Sequence, residues 1–577
     1  MIRQRISPFV VPYLLACFIL LISSAASATF NIEISGVDEE AEKNIRLFFS
    51  RWETLPNPKN SQTSKRIHDL VHRALQPVGY YQSRTEYQID KSTLRLTIQP
   101  GPYIVWNQIH VDIVPENTIT HPDINNLINS PPFIKGQKIH HQLYEAYKKN
   151  LLGEFKKKGY LDATLRKNEL NIHLQNKTAD VELQLFSGER YRIEQINVKG
   201  SRLSARTTNT LIGIKSEEHP WYDSDNIGQM YDSLLSSGYF KHTQIDTLQS
   251  PPNHATLNVE LTDNPNNRIT TGVGYGTDTG VRGKLGWSKP MVNSRGDSFT
   301  SLINVSQIGE ELTAEYLMPW PHPQERYLKW NTGWKREITT DKETSLLSTG
   351  LSFNRAKLKQ WQDSYGLNLE KERYKQGDNS TEEITYLYPN FNYLRRIEAH
   401  PDWLYNGTLW VWSASGVGVG IFDQETLFFN AEIGLDYALD FTPNHSGIVR
   451  IDMGGIATTD FYAVPLTKRF YTGGDQTVRG YRYQSLSSED EDGELIGGQF
   501  LNIFSLEYQY RFKPDWKLAL FGDTGRAFIS SKEPFNSGVG VGLRWQLPVG
   551  MVAFDIAKPL DAEKSNPRLH IYMSTKI

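Results

Sequence analysis

Cysteine is almost absent from this chain: the single one among 577 residues is Cys17. Beyond that position there can be no disulfide, no thiolate nucleophile and no cysteine-bound metal. Long apolar runs are missing too, because nothing after the first few tens of residues approaches the roughly 18 apolar residues that a membrane-crossing helix needs. A basic excess is lacking, with 62 Lys and Arg against 65 Asp and Glu. Nucleic acid is therefore not an expected partner, since phosphate backbones select for positive charge. The chain also lacks a Gly-x-Ser-x-Gly elbow, a His-Glu-x-x-His pair and a phosphate-binding Walker loop. Gly272-Val273-Gly274 and Gly416-Val417-Gly418 do not complete a dinucleotide fingerprint, and both lie in alternating segments. No enzymatic activity, cofactor or metal site is expected. Glu489 to Asp492 reads as a solvated loop, and the adjacent His140 and His141 point apart.

The N-terminus supplies an export signal. Arg3 and Arg5 precede the apolar run Phe9 to Ile22, and small residues lead to an Ala26-Ser27-Ala28 cleavage site. Residues 1–28 are expected to be removed, leaving a mature chain that starts near Thr29. The apolar run continues through Phe18 to Ile22, past Leu14-Leu15-Ala16-Cys17, which argues against lipidation of the cysteine. An exported chain without a helical anchor belongs in the periplasm, the outer membrane or the medium.

From Arg268 onward, apolar and polar residues alternate through strand after strand. Phe504, Leu506, Tyr508, Tyr510 and Phe512 share one face, and Ser505, Glu507, Gln509 and Arg511 the other. Phe429 to Phe441 and Val539 to Leu547 repeat the pattern. Many such strands in series, aromatic on one side and charged on the other, fit a transmembrane β-barrel with lipid outside and water inside. The mean hydropathy of −0.49 and hydrophobic content of 38% do not oppose this, because barrels hide their apolar half in alternation.

Ahead of the barrel, Gly79-Tyr80, Gly159-Tyr160 and Gly238-Tyr239 recur about 80 residues apart. Ile67, Leu70, Val71, Ala74 and Leu75 precede the first at helical spacing, and Ile227, Met230, Tyr231, Leu234 and Leu235 precede the third. Leu143, Tyr147, Leu151 and Phe155 do so before the second, where Lys148, Lys149 and Lys156 to Lys158 read as the wet side of the helix. Each glycine is expected to end its helix in the left-handed conformation and fold the aromatic back onto the apolar stripe. A short strand opens each unit and two follow it, giving β-α-α-β-β three times. This order resembles the polypeptide-transport-associated (POTRA) domain, whose free sheet edge can bind extended chains by β-augmentation.

Near the C-terminus, Arg469 to Gly474 and Val478-Arg479-Gly480-Tyr481 occupy a long segment between two strands. Glycines permit tight turns, and Arg479 presents a rigid fork of donors that needs a carboxylate in a barrel lumen. Alternation in Trp516 to Phe521 sends Leu518 and Leu520 outward and Lys517, Phe521 and Asp523 inward. Val478-Arg479-Gly480-Tyr481 and Phe521-Gly522-Asp523-Thr524-Gly525 together resemble the paired motifs of the BamA-like outer-membrane insertase superfamily. The resemblance implies a sixteen-stranded antiparallel barrel, a lumenal loop near residues 469–483 anchored through Arg479 and Asp523, and a lateral seam between the first and last barrel strands. The seam would involve Gly272, Gly274 and Gly276 on one side and Ile571, Met573 and Ile577 on the other. Glycines there weaken packing and leave register loosely specified.

Three repeats, and Thr271 to Asp278 with Trp287-Ser288-Lys289-Pro290, are similar to the TamA branch of that superfamily. That branch implies a TamB-like, inner-membrane-anchored periplasmic partner, clients among autotransporters and other outer-membrane proteins, and contact with outer-membrane lipid. The expected domains are a signal peptide (1–28), POTRA units at 29–101, 102–188 and 189–264, and a barrel at 265–577. A two-partner secretion pore is the first rival, but it usually carries two POTRA units and a plug helix. A passive porin or receptor explains the barrel but not the repeats.

Overall fold

The computed structural model describes residues 30–575 apart from 51, 53–60, 91–92, 116–120, 340, 358–359, 378, 399–405, 423–425, 549 and 562–565. The signal segment 1–28 and Ile577 therefore lie outside the described residues. These residues form two compact units. One holds the chain up to Gln195 with 216–225 and 248–256, and the other holds 196–215, 226–247 and everything from Leu257.

Three small sheets precede the barrel, as the repeats require. In the first, β1 (Asn31–Ser35) is followed by α1 (Glu39–Phe49), α2 (Ser61–Leu75), β2 (Arg84–Asp90) and β3 (Thr93–Gln99). β3 lies in the middle, parallel to β1 and antiparallel to β2. It takes the centre because Leu94, Leu96 and Ile98 alternate on the face under the helices, where all are buried with Ile45, Ile67 and Val71. Each such side chain contributes roughly 1.5–3 kcal/mol on burial. Asp38 caps α1 by accepting the Ala41 N–H at 2.9 Å. The second sheet repeats the order with β4 (Val105–Val114), β6 (Thr178–Phe186) and β5 (Thr164–His173), covered by α3 (Pro122–Asn129) and α4 (His141–Lys157). The third has β7 (Arg192–Lys199), β9 (His254–Asp263) and β8 (Phe240–Ser250) in the same order. Its helices are α5 (Ala205–Ile212) and α6 (Ser224–Ser236).

Three details differ from the sequence expectation. On α6 only Met230 and Leu234 of the expected stripe are buried, and Tyr231 and Leu235 are exposed because the apolar face is narrower than the sequence spacing suggests. On α4 the buried stripe runs through Tyr144 and not Leu143, which is exposed. The helix is therefore rotated by one residue so that Tyr144 and Tyr147 can both pack against Phe133. Lys158 is not on a wet face. It is buried just past the end of α4 and bonds Asp223 and Asp225, each at 3.1 Å, because two carboxylates there repay its desolvation.

The three glycines adopt the expected left-handed backbone, with φ of 89° at Gly79, 96° at Gly159 and 77° at Gly238, and the following tyrosines are buried. Their carbonyls share a further task. Gly79 O accepts Ile104 N–H at 3.0 Å and Gly159 O accepts Tyr191 N–H at 2.8 Å, while Gly238 O accepts Asn264 Nδ2 at 2.7 Å. Each motif thus fixes the point where the chain leaves its unit.

From β10 (Arg268–Gly276) to β25 (Arg568–Thr575), sixteen strands pair in sequence order, each antiparallel to the next. Leu506, Leu518, Leu520 and Val541 project outward and are exposed. Ser505, Glu507, Gln509 and Asp523 face inward and are buried. Gly416 and Gly418 serve the lumen: a Cβ on either would strike the ring of Tyr388 or Phe428.

Candidate functional site

Between β20 (His445–Thr458) and β21 (Phe500–Lys513) the chain makes a long inward excursion. Arg469 fixes its base by donating to three carbonyls, Val464 at 2.9 Å, Ile496 at 3.0 Å and Tyr462 at 2.8 Å. Lys468 pairs with Glu370 at 2.8 Å, and the Thr467 N–H donates to Glu372 at 3.1 Å. Lys342 lies over the Tyr471 ring, 3.4 Å from its centroid.

At the tip, Arg479 meets the barrel wall. Its guanidinium clasps Asp523 through Nε at 2.7 Å and Nη2 at 2.8 Å, and its own N–H donates to the same carboxylate at 3.1 Å. Nη1 also reaches Glu507 at 2.7 Å and Asp555 at 3.1 Å. Arg544 approaches from the wall, with Nη2 2.7 Å from Glu507 and 3.1 Å from Asp555. The Phe521 ring underlies Arg479 at 3.4 Å. Two arginines therefore neutralise most of three buried carboxylates contributed by β21, β22 (Trp516–Phe528) and β24 (Gly550–Pro559). A bidentate, desolvated arrangement of this kind fixes position as well as charge. Val478 is fully buried, and Tyr481 donates to Asp561 at 2.8 Å.

Sequence reading placed Arg479 with Asp523 but missed Glu507, Asp555 and Arg544. Alternation marked Glu507 and Arg544 as lumenal. It gave no sign of which lumenal residues from separate strands share one height.

The same loop touches both ends of the barrel sheet. Gly480 N–H donates to His570 Nε2 on β25 at 2.9 Å, and Asp475 N–H donates to Asp278, in the turn after β10, at 2.6 Å. Gly474 suits this place because its backbone takes a φ of 114°, and a Cβ would also crowd the Asp278 carboxylate. His570 Nδ1 and Asp278 Oδ1 face each other at 4.0 Å. The wall is weakest at this place. Among the described residues β10 and β25 form no ladder; Thr277 N–H donates to Ile571 O at 3.0 Å, and Ile571 N–H to Thr277 Oγ1 at 3.1 Å. Val273 on β10 is 91% exposed and Ile269 71%. Gly276 sits against this junction, where a Cβ would fall 3.6 Å from Ile571 O, whereas Gly272 and Gly274 lie along the unpaired edge.

Residues 265–575 match the Omp85 superfamily domain. The chain belongs to the Omp85 superfamily. Residues 31–100 match the first POTRA domain of the TamA type. An outer membrane protein assembly factor BamA from Nitratidesulfovibrio vulgaris is 39% identical over 128 residues, 21% of this chain and 16% of that protein. A second BamA, from Neorickettsia risticii, is 21% identical over 426 residues, 67% of this chain and 55% of that protein. The chain thus spans at most about half of these relatives. The crystal structure of Haemophilus ducreyi BamA lacking POTRA domains 1–3 superposes with a TM-score of 0.65 at 13% identity, covering 82% of this chain and all of that one. As an Omp85 protein, the chain sits in the outer membrane of a Gram-negative cell, with its small N-terminal sheets in the periplasm.

Proposed function

We propose that this Omp85 protein assembles or translocates cargo at its barrel seam, without nucleotide and without covalent catalysis. The observation that carries the reading is a barrel joined end to end, among the described residues, by one short junction, with a charge-anchored loop bonded to both sides of it. A ladder of ordinary length resists opening, because every broken bond exposes polar backbone to lipid. A junction of two bonds can yield to a competing strand edge, and the loop inside then sets how readily it does so. The free edges of the POTRA sheets supply places for extended client segments before they reach the membrane.

The TamA-type first POTRA domain supports a finer reading. In it, an elongated TamB-like protein anchored in the inner membrane docks on the periplasmic units, and the pair serves autotransporter or other outer-membrane protein assembly, phospholipid movement to the outer membrane, or both. Affinity purification from envelopes, with protein and lipid identified together, tests partner and cargo.

The seam itself is tested by cysteines at Thr277 and Ile571. Oxidation is expected to abolish client assembly and reduction to restore it; full activity in a completely crosslinked population would reject the seam. Planar-bilayer recording separates the pore readings, since a large, steady current from the isolated protein would favour a secretion pore or porin.

A further inference from the structure

A cavity of about 510 Å³ opens on the lumenal side of the seam, within the roughly 300–1,000 Å³ usual for small-molecule sites. Gly272 and Gly274 of β10 and Met573 of β25 wall it toward the membrane. Arg282 and Lys284, on β11 (Gly280–Lys289), line it next to these glycines and stand directly opposite them in the ladder. Farther from the seam lie Glu311 on β13 (Gly309–Pro319) and Glu337 on β14 (Arg326–Ile338). Glu337 is engaged by Lys335 at 2.9 Å, and Glu311 accepts an amide hydrogen from Asn304 at 2.9 Å. Among the described residues Arg282 and Lys284 form no ion pair, although Asp278 and Asp475 line an adjoining cavity with Arg282.

Lys335, opposite Glu311 in the ladder, and Arg336 line the cavity as well, but Lys335 is paired with Glu337 and Arg336 with Glu343, which leaves unpaired cations at the seam and the Glu311 carboxylate two strands inward. Adjacent strands lie about 4.8 Å apart, so the two signs are separated by about 10 Å at the backbone and by less at their side-chain tips. The glycines bear on access. Neither has a positive φ, and a Cβ would make only ordinary contact, 3.7 Å from the Lys284 Cβ and 3.4 Å from the Arg282 Nε. Backbone geometry does not demand glycine here, but any side chain would cover the two cations from the unpaired edge. Just outside that edge, Ile269 and Val273 face hydrocarbon.

We propose that this cavity binds the headgroup of a zwitterionic phospholipid of the phosphoethanolamine type, with its phosphate on Arg282 and Lys284, its ammonium on Glu311, and its acyl chains left in the membrane through the seam. A soluble zwitterion would satisfy the same charges, but only a lipid uses the opening beside them. The proposal relies on the seam reading for the ligand's route alone, and binding in detergent does not require cargo to pass, so either can fail without the other.

The test is native mass spectrometry of the full-length protein in detergent micelles doped with phosphatidylethanolamine, phosphatidylglycerol or both, with free phosphoethanolamine as competitor. Wild type is expected to retain phosphatidylethanolamine several-fold over phosphatidylglycerol, and free headgroup to compete weakly. R282Q/K284Q should lose at least tenfold in retention of both lipids while keeping heat-modifiable mobility, and E311Q should keep binding but lose the preference. Equal retention by wild type and folded R282Q/K284Q would overturn the site. Preference for phosphatidylglycerol in wild type, or unchanged preference in E311Q, would overturn the headgroup assignment.

Discussion

Replacing Arg479 with alanine removes the cation that joins the tip of the lumenal loop to the wall. Asp523 and Asp555 have no exposed side-chain surface, and Glu507 has 9%. Without Arg479, Glu507 and Asp555 keep Arg544, and Asp523 loses its arginine. Breaking such a pair from one side costs about 3–5 kcal/mol. The strand ladders are untouched, so the loss should appear as undocking of the loop and not as collapse of the barrel. At 1.4 kcal/mol per tenfold, it corresponds to roughly a hundred- to a few-thousand-fold loss of protection. The assay is protease cleavage within residues 459–499 of folded protein in detergent. Arg482 is exposed, and Arg482→Ala should change protection by less than about 1 kcal/mol. Arg479→Lys keeps the charge but not the fork and should fall between them. Adding Asp523→Asn to Arg479→Ala should recover about 1–3 kcal/mol by relieving an uncompensated charge. Equal protection in the Arg479 and Arg482 variants would refute this account of the anchor.

Gly159→Ala should destabilise the periplasmic units more than Gly238→Ala. Both force φ above +70°, costing about 1–2 kcal/mol, but only at Gly159 would the Cβ fall 2.5 Å from a backbone oxygen, that of Tyr222; thermal melts of the full chain compare them, and equal shifts would discount the clash. Acid should loosen the contact between the first two POTRA-type repeats, both within the first compact unit, where Lys138 bonds Asp38 at 3.0 Å. Burial raises the Asp38 pKa, but the Ala41 N–H, Lys138 and Tyr80 outweigh it and hold the group below its usual 3.8. A depressed carboxylate stabilises the fold above its unfolded pKa, and that stability disappears as pH falls through the folded value, so protease sensitivity of the first repeat should rise below about pH 4. Asp38→Asn should remove this acid limb, and an unchanged limb would assign it elsewhere.

The parts of the fold legible in sequence are those with a period. Alternation of two identified the wall and its outward residues, and the recurrence of glycine and tyrosine located the helix ends. The pairing of Arg479 with Asp523 was readable because alternation put Asp523 in the lumen and the resemblance of the paired motifs brought the Arg479 loop to it. Asp555 and His570 escaped because their places depend on the stagger of strands distant in sequence, which no local pattern encodes. Lys158 misled for a related reason: a lysine run at the end of a helix looks solvated until Asp223 and Asp225, some sixty-five residues on, arrive beside it.

The Tyr239 hydroxyl donates to Gly296 O, 2.5 Å away in the turn after β11. Ser204 N–H holds the same turn through Ser294 O at 2.7 Å. A pull on this part of the third periplasmic sheet would be delivered to the second stave of the cylinder, beside its loosest joint. Traction by a bound polypeptide could then ease the joint from below while the hoop of remaining staves stays rigid.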